Sequence, residues 1–307
     1  MAERIMVAGG TGNLGGRISR ALVERGATAV ALMRAGSEDK HRKPLEDAGV
    51  QVVAVDMTSV GDIRKACEGA ACVVSALQGL RDVVVDAQSR LLEASVAAGV
   101  PRFIPSDFAT DFRTLPPGEN RNYDLRREFH HRLEEVRIAP TSIFNGVFAE
   151  VLMQKVPYLD FDRKQVGYWE DPDWRLDFTT MDNAAAYTAA AALDPTTPRA
   201  LRIRSFCVSP RELAKFTDEV MRTPFQLVRL GSFDDLSKRN RSERAAHPEG
   251  ENEVYPAWQQ AQYELSMFSR HHEAVDNDRY PGVKWTSLAE WVSKLPQWVA
   301  TTRLYVT

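Results

Sequence analysis

A glycine-rich segment near the start of the chain restricts its fold more than any other feature. The apolar run Ile5–Ala8 is followed by Gly-Gly-Thr-Gly-Asn-Leu-Gly at residues 9–15, and the amphipathic segment Leu14–Arg25 continues from there. Between a strand and a helix, glycines at this spacing permit a tight turn, close approach of the backbone to a pyrophosphate, and close helix–strand packing. The N–H groups at the start of the helix favour an anion. The pattern predicts a dinucleotide site formed by Gly9, Thr11, Gly12, Asn13, Leu14 and Gly15.

The first 150 residues repeat this alternation of short apolar runs and amphipathic segments. The predicted strands are Ile5–Ala8, Ala29–Met33, Val50–Val55, Cys72–Ala76, Phe103–Pro105 and Thr141–Phe144. Continuous apolar strands between helices indicate a parallel sheet covered on both faces. We therefore expect an α/β protein with a Rossmann-type doubly wound parallel sheet over residues 1–150. Residues 151–307 are expected to form a smaller α+β substrate-binding region, from which residues 178–193 return to the Rossmann sheet.

The end of the second predicted strand favours NADP(H) as the cofactor. An NAD-binding fold places an acidic residue near this position to bind the ribose hydroxyls, whereas this chain has Arg34. A guanidinium offers forked donors and a permanent charge to a 2′-phosphate. The residues that follow are either further phosphate contacts or a solvated basic loop: Ser37, Lys40, Arg42 and Lys43. At the ends of the third and fourth strands, further cofactor contacts are predicted at Asp56, Met57, Leu77 and Gln78.

Charge and cysteine content exclude several classes of protein. The formal net charge is −3, and binding to a phosphate backbone requires a basic face, so no nucleic-acid partner is expected. The three cysteines lack metal-ligand spacing, which predicts no metal site and suits a reducing cytoplasm. No apolar run approaches the length of a bilayer-spanning helix, and the first strand begins almost at once, without a secretory signal. We expect a cytoplasmic protein that does not bind membranes.

Tyr123 and Arg127 lie in a predicted helix after a long connection over residues 107–122. Their spacing puts both side chains on one helical face, as in the Tyr-x-x-x-Lys pair of ordinary short-chain dehydrogenases. In that pair the lysine lowers the pKa of the tyrosine, which protonates the developing alkoxide. Arg127 can hold ribose hydroxyls but does not release a proton near neutral pH, so the acid is Tyr123 or water. Alternatively, both are ordinary residues of the first helical turns.

These segments resemble the NmrA-like and isoflavone-reductase-like group of atypical short-chain dehydrogenase/reductases. The matching segments are Gly9–Gly15, Arg34, Ser75–Gly79, Arg102–Phe108, Ala139–Phe148 and Phe178–Ala185. The resemblance implies NADP binding; some members reduce phenylpropanoid ethers, isoflavones or quinones, and others are regulators without known turnover. It also implies a lysine on the helix after the long connection, which anchors the nicotinamide ribose and assists proton transfer. Alignment on Pro140 and Thr141 puts this position at Arg127, a departure from the family.

Three further cofactor contacts are predicted after the fifth and sixth strands, at Ser106, Asn145 and Phe148. The alternatives are a turn cap for Ser106 and an ordinary core position for Phe148.

The sequence leaves three functions open. The first is an NADPH-dependent reductase of a small aromatic or conjugated carbonyl, enone or quinone. The second is a redox-sensing regulator that binds NADP(H) without turnover, which the arginine at the lysine position favours. The third is an epimerase or dehydratase of nucleotide sugars, against which Arg34 counts because those enzymes prefer NAD. The expected partners are a small aromatic substrate and a second copy of the chain in a homodimer.

Overall fold

The computed structural model of the chain describes residues 2–34, 41–154 and 156–304. The first six strands are β1 (Arg4–Ala8), β2 (Thr28–Arg34), β3 (Gln51–Val55), β4 (Cys72–Ser75), β5 (Arg102–Ile104) and β6 (Ala139–Pro140). They form one parallel sheet in the order β3-β2-β1-β4-β5-β6. The strand order reverses between β1 and β4, the point at which open α/β sheets bind their ligands. The predicted doubly wound sheet is confirmed.

Helices cover both faces of this sheet. The first six are α1 (Asn13–Glu24), α2 (Lys43–Glu46), α3 (Val60–Cys67), α4 (Gln88–Ala97), α5 (Arg121–Glu134) and α6 (Met181–Leu193). Because side chains alternate along a strand, Ile5 and Val7 of β1 enter the core under α1 and α6, whereas Met6 enters the core under α3, α4 and α5. Burial on both faces explains why the strands are apolar throughout.

The remaining elements build a second, smaller region. Its strands and those that join it to the large sheet are β7 (Ser142–Phe144), β8 (Val147–Phe148), β9 (Gln165–Trp169), β10 (Leu176–Thr179), β11 (Ala200–Arg202), β12 (Phe206–Val208) and β13 (Gln226–Gly231). β12, β10 and β8 form one sheet, while β7 pairs with β11 and β9 with β13. The helices are α7 (Pro210–Met221), α8 (Phe233–Ala246), α9 (Ala257–Ser269), α10 (Leu288–Val292) and α11 (Leu295–Leu304). Trp169, Phe268 and Trp291 belong to its separate core.

Several elements are irregular. A π-helical turn, Asp82–Ala87, leads directly into α4. The polar segment over residues 237–252 lies on α8 and a following 3₁₀ turn, Pro248–Asn252. α9 carries buried residues on most of its surface, so its apolar periodicity is weak and its ends are hard to locate from sequence. Over the described ranges, no helix combines the length and the apolarity needed to cross a membrane.

Candidate functional site

The glycine loop turns tightly against the end of β4. Gly9 has a φ of +73°, and a Cβ built there would lie 2.6 Å from the carbonyl oxygen of Ala76. A Cβ at Gly15 would collide with the carbonyl of Gly9, so α1 approaches the loop more closely than any side chain permits. The N–H of Gly12 donates to the Gly9 carbonyl over 2.9 Å and closes the turn. These contacts explain the glycine spacing in steric terms.

The N-terminus of α1 has the features of an anion site. Gly12 is its N-cap, and within the described part of the chain no side chain caps it, although side chains cap α3, α5, α6, α7, α8 and α10. Gly12 and Asn13 are exposed, and Thr11 and Leu14 are half-buried. The first turn has no acidic residue to oppose a phosphate. Exposed N–H groups at the positive end of a helix fit the diphosphate of a dinucleotide.

Arg34 lies beside this loop. It is the exposed last residue of β2, two positions beyond the pairing of Leu32 with Ala8 of β1. Its position at the carboxyl edge, level with the loop, fits a contact with the 2′-phosphate of NADP(H). Arg42 and Lys43 form ion pairs along α2, with Glu46 and Asp47 respectively. Ser37 and Lys40 lie outside the described residues.

The predicted contacts at the end of β3 have structural partners of their own. Oδ1 of Asp56 accepts hydrogen bonds from the hydroxyl and the N–H of Thr58, at 2.7 and 2.8 Å. These bonds hold the pKa of Asp56 below its usual value. The Met57 carbonyl accepts a hydrogen bond from Nε of Arg90 over 3.1 Å. Both residues lie at the same sheet edge as Arg34, since β2 and β3 run parallel with Arg34 opposite Val55.

Ser106 connects three elements at the end of β5. Its hydroxyl donates to the carbonyl of Leu77 over 2.6 Å, and its N–H donates to Oε1 of Gln88 over 2.9 Å. Its carbonyl accepts a hydrogen bond from Nε of Arg126 on α5 over 3.0 Å. Ser106 and Leu77, predicted separately, therefore lie together at the carboxyl edge of β4 and β5. Gln78 is exposed beside them, and its amide donates to the hydroxyl of Tyr255.

The two neighbouring arginines of α5 have different partners. Arg126 bonds Ser106 and the carbonyl of Asn122. Burial lowers the pKa of Arg126, but the nearby acidic groups of Tyr263 and Asp107 outweigh it and raise the pKa above its usual value. Arg127 bonds the Asp124 carboxylate and the carbonyls of Phe112 and Leu115, and so fixes the long connection to α5. Arg126, one residue before the position that the alignment suggests, contacts the edge of β4 and β5, and the role assigned to Arg127 stays a prediction.

Tyr123 is a core residue. It is only 3% exposed, with its ring between Phe112, at a centroid distance of 5.7 Å, and Tyr263, at 5.2 Å. Burial and the proximity of Tyr263 raise the pKa of Tyr123, and its hydroxyl bonds Thr110. Tyr123 and Arg127 both pack or bond against the long connection, and the catalytic roles assigned to them stay predictions.

A buried contact between a histidine and a carboxylate lies behind Arg126. Nε2 of His130 is 2.6 Å from Oδ2 of Asp107, and both side chains are buried. Burial alone raises the pKa of Asp107, but the contact with His130 and the charge of Arg126 lower it below its usual value. His130 follows Arg126 by one helical turn, so both contact the segment Ser106–Asp107. The four-residue spacing of Arg126 and His130 is visible in the sequence. It indicates a shared contact only when Ser106–Asp107 is known to be the partner segment.

Asn145 and Phe148 lie at the junction of the two regions. Asn145 is fully buried; its N–H donates to the Ala109 carbonyl over 2.9 Å, and its carbonyl accepts from the Thr179 hydroxyl over 2.6 Å. Among the described residues, its Oδ1 has no hydrogen-bond partner. Phe148 is half-buried and packs on the core that also contacts Leu14 and Ala76. Phe148 therefore has the core packing that was its alternative role, and its contact with the cofactor stays a prediction.

Two tyrosines from the second region complete the site. The hydroxyl of Tyr263 on α9 accepts a hydrogen bond from Asn122 over 3.2 Å. Tyr255 precedes α9 and is 46% exposed, with its ring centroid 6.2 Å from that of Tyr263. No local sequence pattern distinguishes Tyr255 and Tyr263 from other aromatic residues, because their contacts with Gln78 and α5 join residues far apart in the chain.

Comparison with known proteins agrees with this architecture. The sequence profile of the NmrA-like family matches residues 1–291. Pinoresinol reductase 1 of Arabidopsis thaliana is 30% identical over 210 residues, which cover 63% of this chain and 66% of that protein. The structure of AtPrR2 with NADP+ and (+)pinoresinol superposes with a TM-score of 0.78 at 23% identity, covering 95% of this chain and 98% of that one.

A new type of NADPH-dependent quinone oxidoreductase from Escherichia coli superposes with a TM-score of 0.72 at 18% identity, covering 95% of this chain and 99% of that one. Both superpositions show the same fold. The family profile spans both regions of the chain described above, including the glycine loop, Ser106 and α5. The chain therefore belongs to the NmrA-like family.

Proposed function

We propose that this protein is an NADPH-dependent reductase of a small aromatic or conjugated carbonyl, enone or quinone. The observation that carries the proposal is that Arg126, Ser106 and Tyr255 converge at the sheet edge that also presents the glycine loop. Related proteins named as pinoresinol and quinone reductases support the same class of reaction. Since the chain spans 66% of the length of pinoresinol reductase 1, that relative's substrate is not carried over.

Each part of the cofactor has a matching group on this chain. The N–H groups of residues 13–15 hold the diphosphate, and Arg34 binds the 2′-phosphate. Leu77, Gln78 and Ser106 border the nicotinamide half, while Asp56 and Met57 border the adenine. When bound, NADPH supplies a hydride from the nicotinamide ring; the protein orients the ring and excludes water.

Arg126 takes the part that the family resemblance gives to a lysine. Its guanidinium is half-buried and fixed by Ser106 and Asn122, so it holds a positive charge at the nicotinamide side of the site. A fixed cation there binds ribose hydroxyls and stabilises negative charge that develops on a substrate oxygen. It does not transfer a proton itself, because a guanidinium stays protonated near neutral pH.

Cofactor choice is tested by titrating the purified protein with NADPH and NADH. We expect tighter binding of NADPH, and we expect Arg34→Ala to weaken NADPH binding about 10–100-fold through loss of charge-assisted bonds, with NADH binding almost unchanged. Arg42→Ala is the matched control, because Arg42 is paired with Glu46. If the protein binds neither cofactor, the reductase proposal fails.

A second candidate is a regulator that senses the NADP(H) redox state without turnover. The observation that favours it is that α5 contains arginines but no lysine. A panel of quinones, enones and aromatic carbonyls, followed by NADPH consumption, separates the two candidates. Tight NADPH binding with no turnover of any compound supports the regulator and contradicts the reductase.

A further inference from the structure

We propose that Tyr255 is the residue that protonates the substrate oxygen during reduction, a proposal that rests on the reductase function above. Tyr123, the tyrosine suggested by sequence, is 3% exposed and lies in the core. Tyr263 is half-buried, with its ring packed against those of Tyr123 and Tyr255. Tyr255 is the exposed tyrosine of the three. Its hydroxyl contacts Gln78, one of the predicted cofactor contacts after β4.

The contact with Gln78 fixes the direction of the Tyr255 hydroxyl. Gln78 lies three positions after the end of β4, and its amide nitrogen donates to the Tyr255 oxygen. A hydroxyl that accepts a hydrogen bond from an amide keeps its own hydrogen for another acceptor. The same bond stabilises the phenolate left after proton donation. Both effects suit a proton donor.

The segment before Tyr255 is anchored by Arg121, at the start of α5. The Arg121 guanidinium donates to the carbonyls of Gly250, Glu251, Glu253 and Val254, at 3.2, 3.4, 2.8 and 3.1 Å. It also lies 4.7 Å from the ring centroid of Trp258, while Arg244 lies 4.8 Å from that ring. Arg121 is 9% exposed, so the anchor is shielded from water. Tyr255 is thus held at both sides, by Arg121 through the backbone and by Gln78 through its hydroxyl.

The charged and titratable groups around Tyr255 come from α5 and α9. Partial burial and the neighbouring Tyr263 raise the pKa of Tyr255, while Arg126 and the bond from Gln78 lower it in part. The hydroxyl is therefore protonated at neutral pH, as an acid must be. Arg126 attracts the phenolate that forms when the proton leaves.

With NADPH as the reductant, the protons and electrons of the reduction balance. The hydride from NADPH adds to the substrate carbon, and the π pair of the C=O bond moves to the oxygen; in an enone the hydride adds to the β-carbon and the pair reaches the oxygen as an enolate. Tyr255 gives its hydroxyl proton to that oxygen, and the cofactor becomes NADP+. Water returns a proton to Tyr255, whose side chain is 46% exposed.

The test replaces the hydroxyl alone, with Tyr255→Phe. With a substrate turned over by the wild type, we expect kcat to fall about 10–100-fold, while the Kd of NADPH and the KM stay within about twofold. The decline of wild-type kcat at high pH, where Tyr255 loses its proton, should disappear in the variant. The solvent deuterium isotope effect on kcat should also be reduced. Tyr168→Phe is the control, because Tyr168 lies on β9 among the second core.

Three results would overturn the proposal, and only the first of them also refutes the reductase function. A wild type without turnover of any compound refutes both together. A wild type that turns over, with Tyr255→Phe equal to it in kcat and pH profile, refutes only the role of Tyr255. A variant that changes KM and leaves the isotope effect intact assigns Tyr255 to binding instead.

Discussion

Arg126 and Arg127 are neighbours in the chain, yet they contact different parts of the molecule. Consecutive helical residues point in different directions, so one guanidinium bonds Ser106 at the sheet edge and the other bonds the carbonyls of Phe112 and Leu115. The charge and length of the two side chains are identical. The two residues therefore differ only in position, so the same substitution at each compares the roles of the two positions directly.

We expect Arg126→Met to lower kcat about 100-fold or more, because a fixed cation at the developing oxyanion is lost. Arg127→Met should leave kcat and the Kd of NADPH within about threefold, but reduce the free energy of unfolding by about 1–2 kcal/mol, since two carbonyls of the long connection lose their donor. Steady-state kinetics and urea unfolding measure both effects. The reverse pattern, with Arg127→Met inactive and Arg126→Met active, would restore the assignment made from sequence.

Helix α9 carries a carboxyl group in the second core. Glu264 is 6% exposed, and its Oε2 accepts a hydrogen bond from Nε1 of Trp169 over 3.3 Å. Burial raises the pKa of Glu264 to about 7, opposed in part by the bond from Trp169 and the charge of Arg239. An unfolded glutamate titrates near about 4.3, so the folded state binds the proton more tightly. Stability from this group is complete below the unfolded pKa and is lost as the pH rises through about 7.

Glu264→Gln should remove this pH dependence, because the amide keeps the acceptor for Trp169 and never ionises. At about pH 8 we expect the variant to exceed the wild type in free energy of unfolding by about 1–3 kcal/mol, and at about pH 4 the two should be similar. Urea unfolding across this range, followed by tryptophan fluorescence, measures the gap. Glu249→Gln, at an exposed residue after α8, is the control. A gap that stays constant with pH would contradict the assignment.

At the level of elements, the sequence predicted strands and helices whose ends are marked by local patterns. It did not predict which side of a helix faces the site. β1 and α1 were located almost to the residue, because glycines and apolar runs mark their ends. Whether Arg126 or Arg127 contacts Ser106 depends on which side of α5 faces it, and that side is set by packing of Phe129 and Leu133 on the sheet. The bond between Gln78 and Tyr255 joins residues 177 positions apart, and no local pattern encodes it.

On the scale of the whole molecule, the site exists only because two regions meet at one sheet edge. The Rossmann half supplies the glycine loop, Arg34 and Ser106, while the second region supplies Tyr255 and Tyr263. Arg121 connects them, since it lies on α5 and bonds the carbonyls of Gly250, Glu251, Glu253 and Val254 in the segment before Tyr255. Attachment of the second region at this point holds Tyr255 at the sheet edge, because α5 itself packs on the sheet.

Arg121→Met should loosen this attachment without affecting the cofactor half. Methionine keeps an apolar stem against Trp258 but donates to none of the carbonyls, so amides of residues 250–255 should exchange hydrogen at least about tenfold faster, while those of β1 and β4 are unchanged. Because Tyr255 then samples more positions, kcat should fall about 10-fold, with the Kd of NADPH within about twofold. Arg244→Met is the matched control, as Arg244 contacts the same ring but bonds only the side chain of Glu251. Equal exchange in the two variants would show that the aromatic ring, and not the row of carbonyl bonds, holds the second region in place.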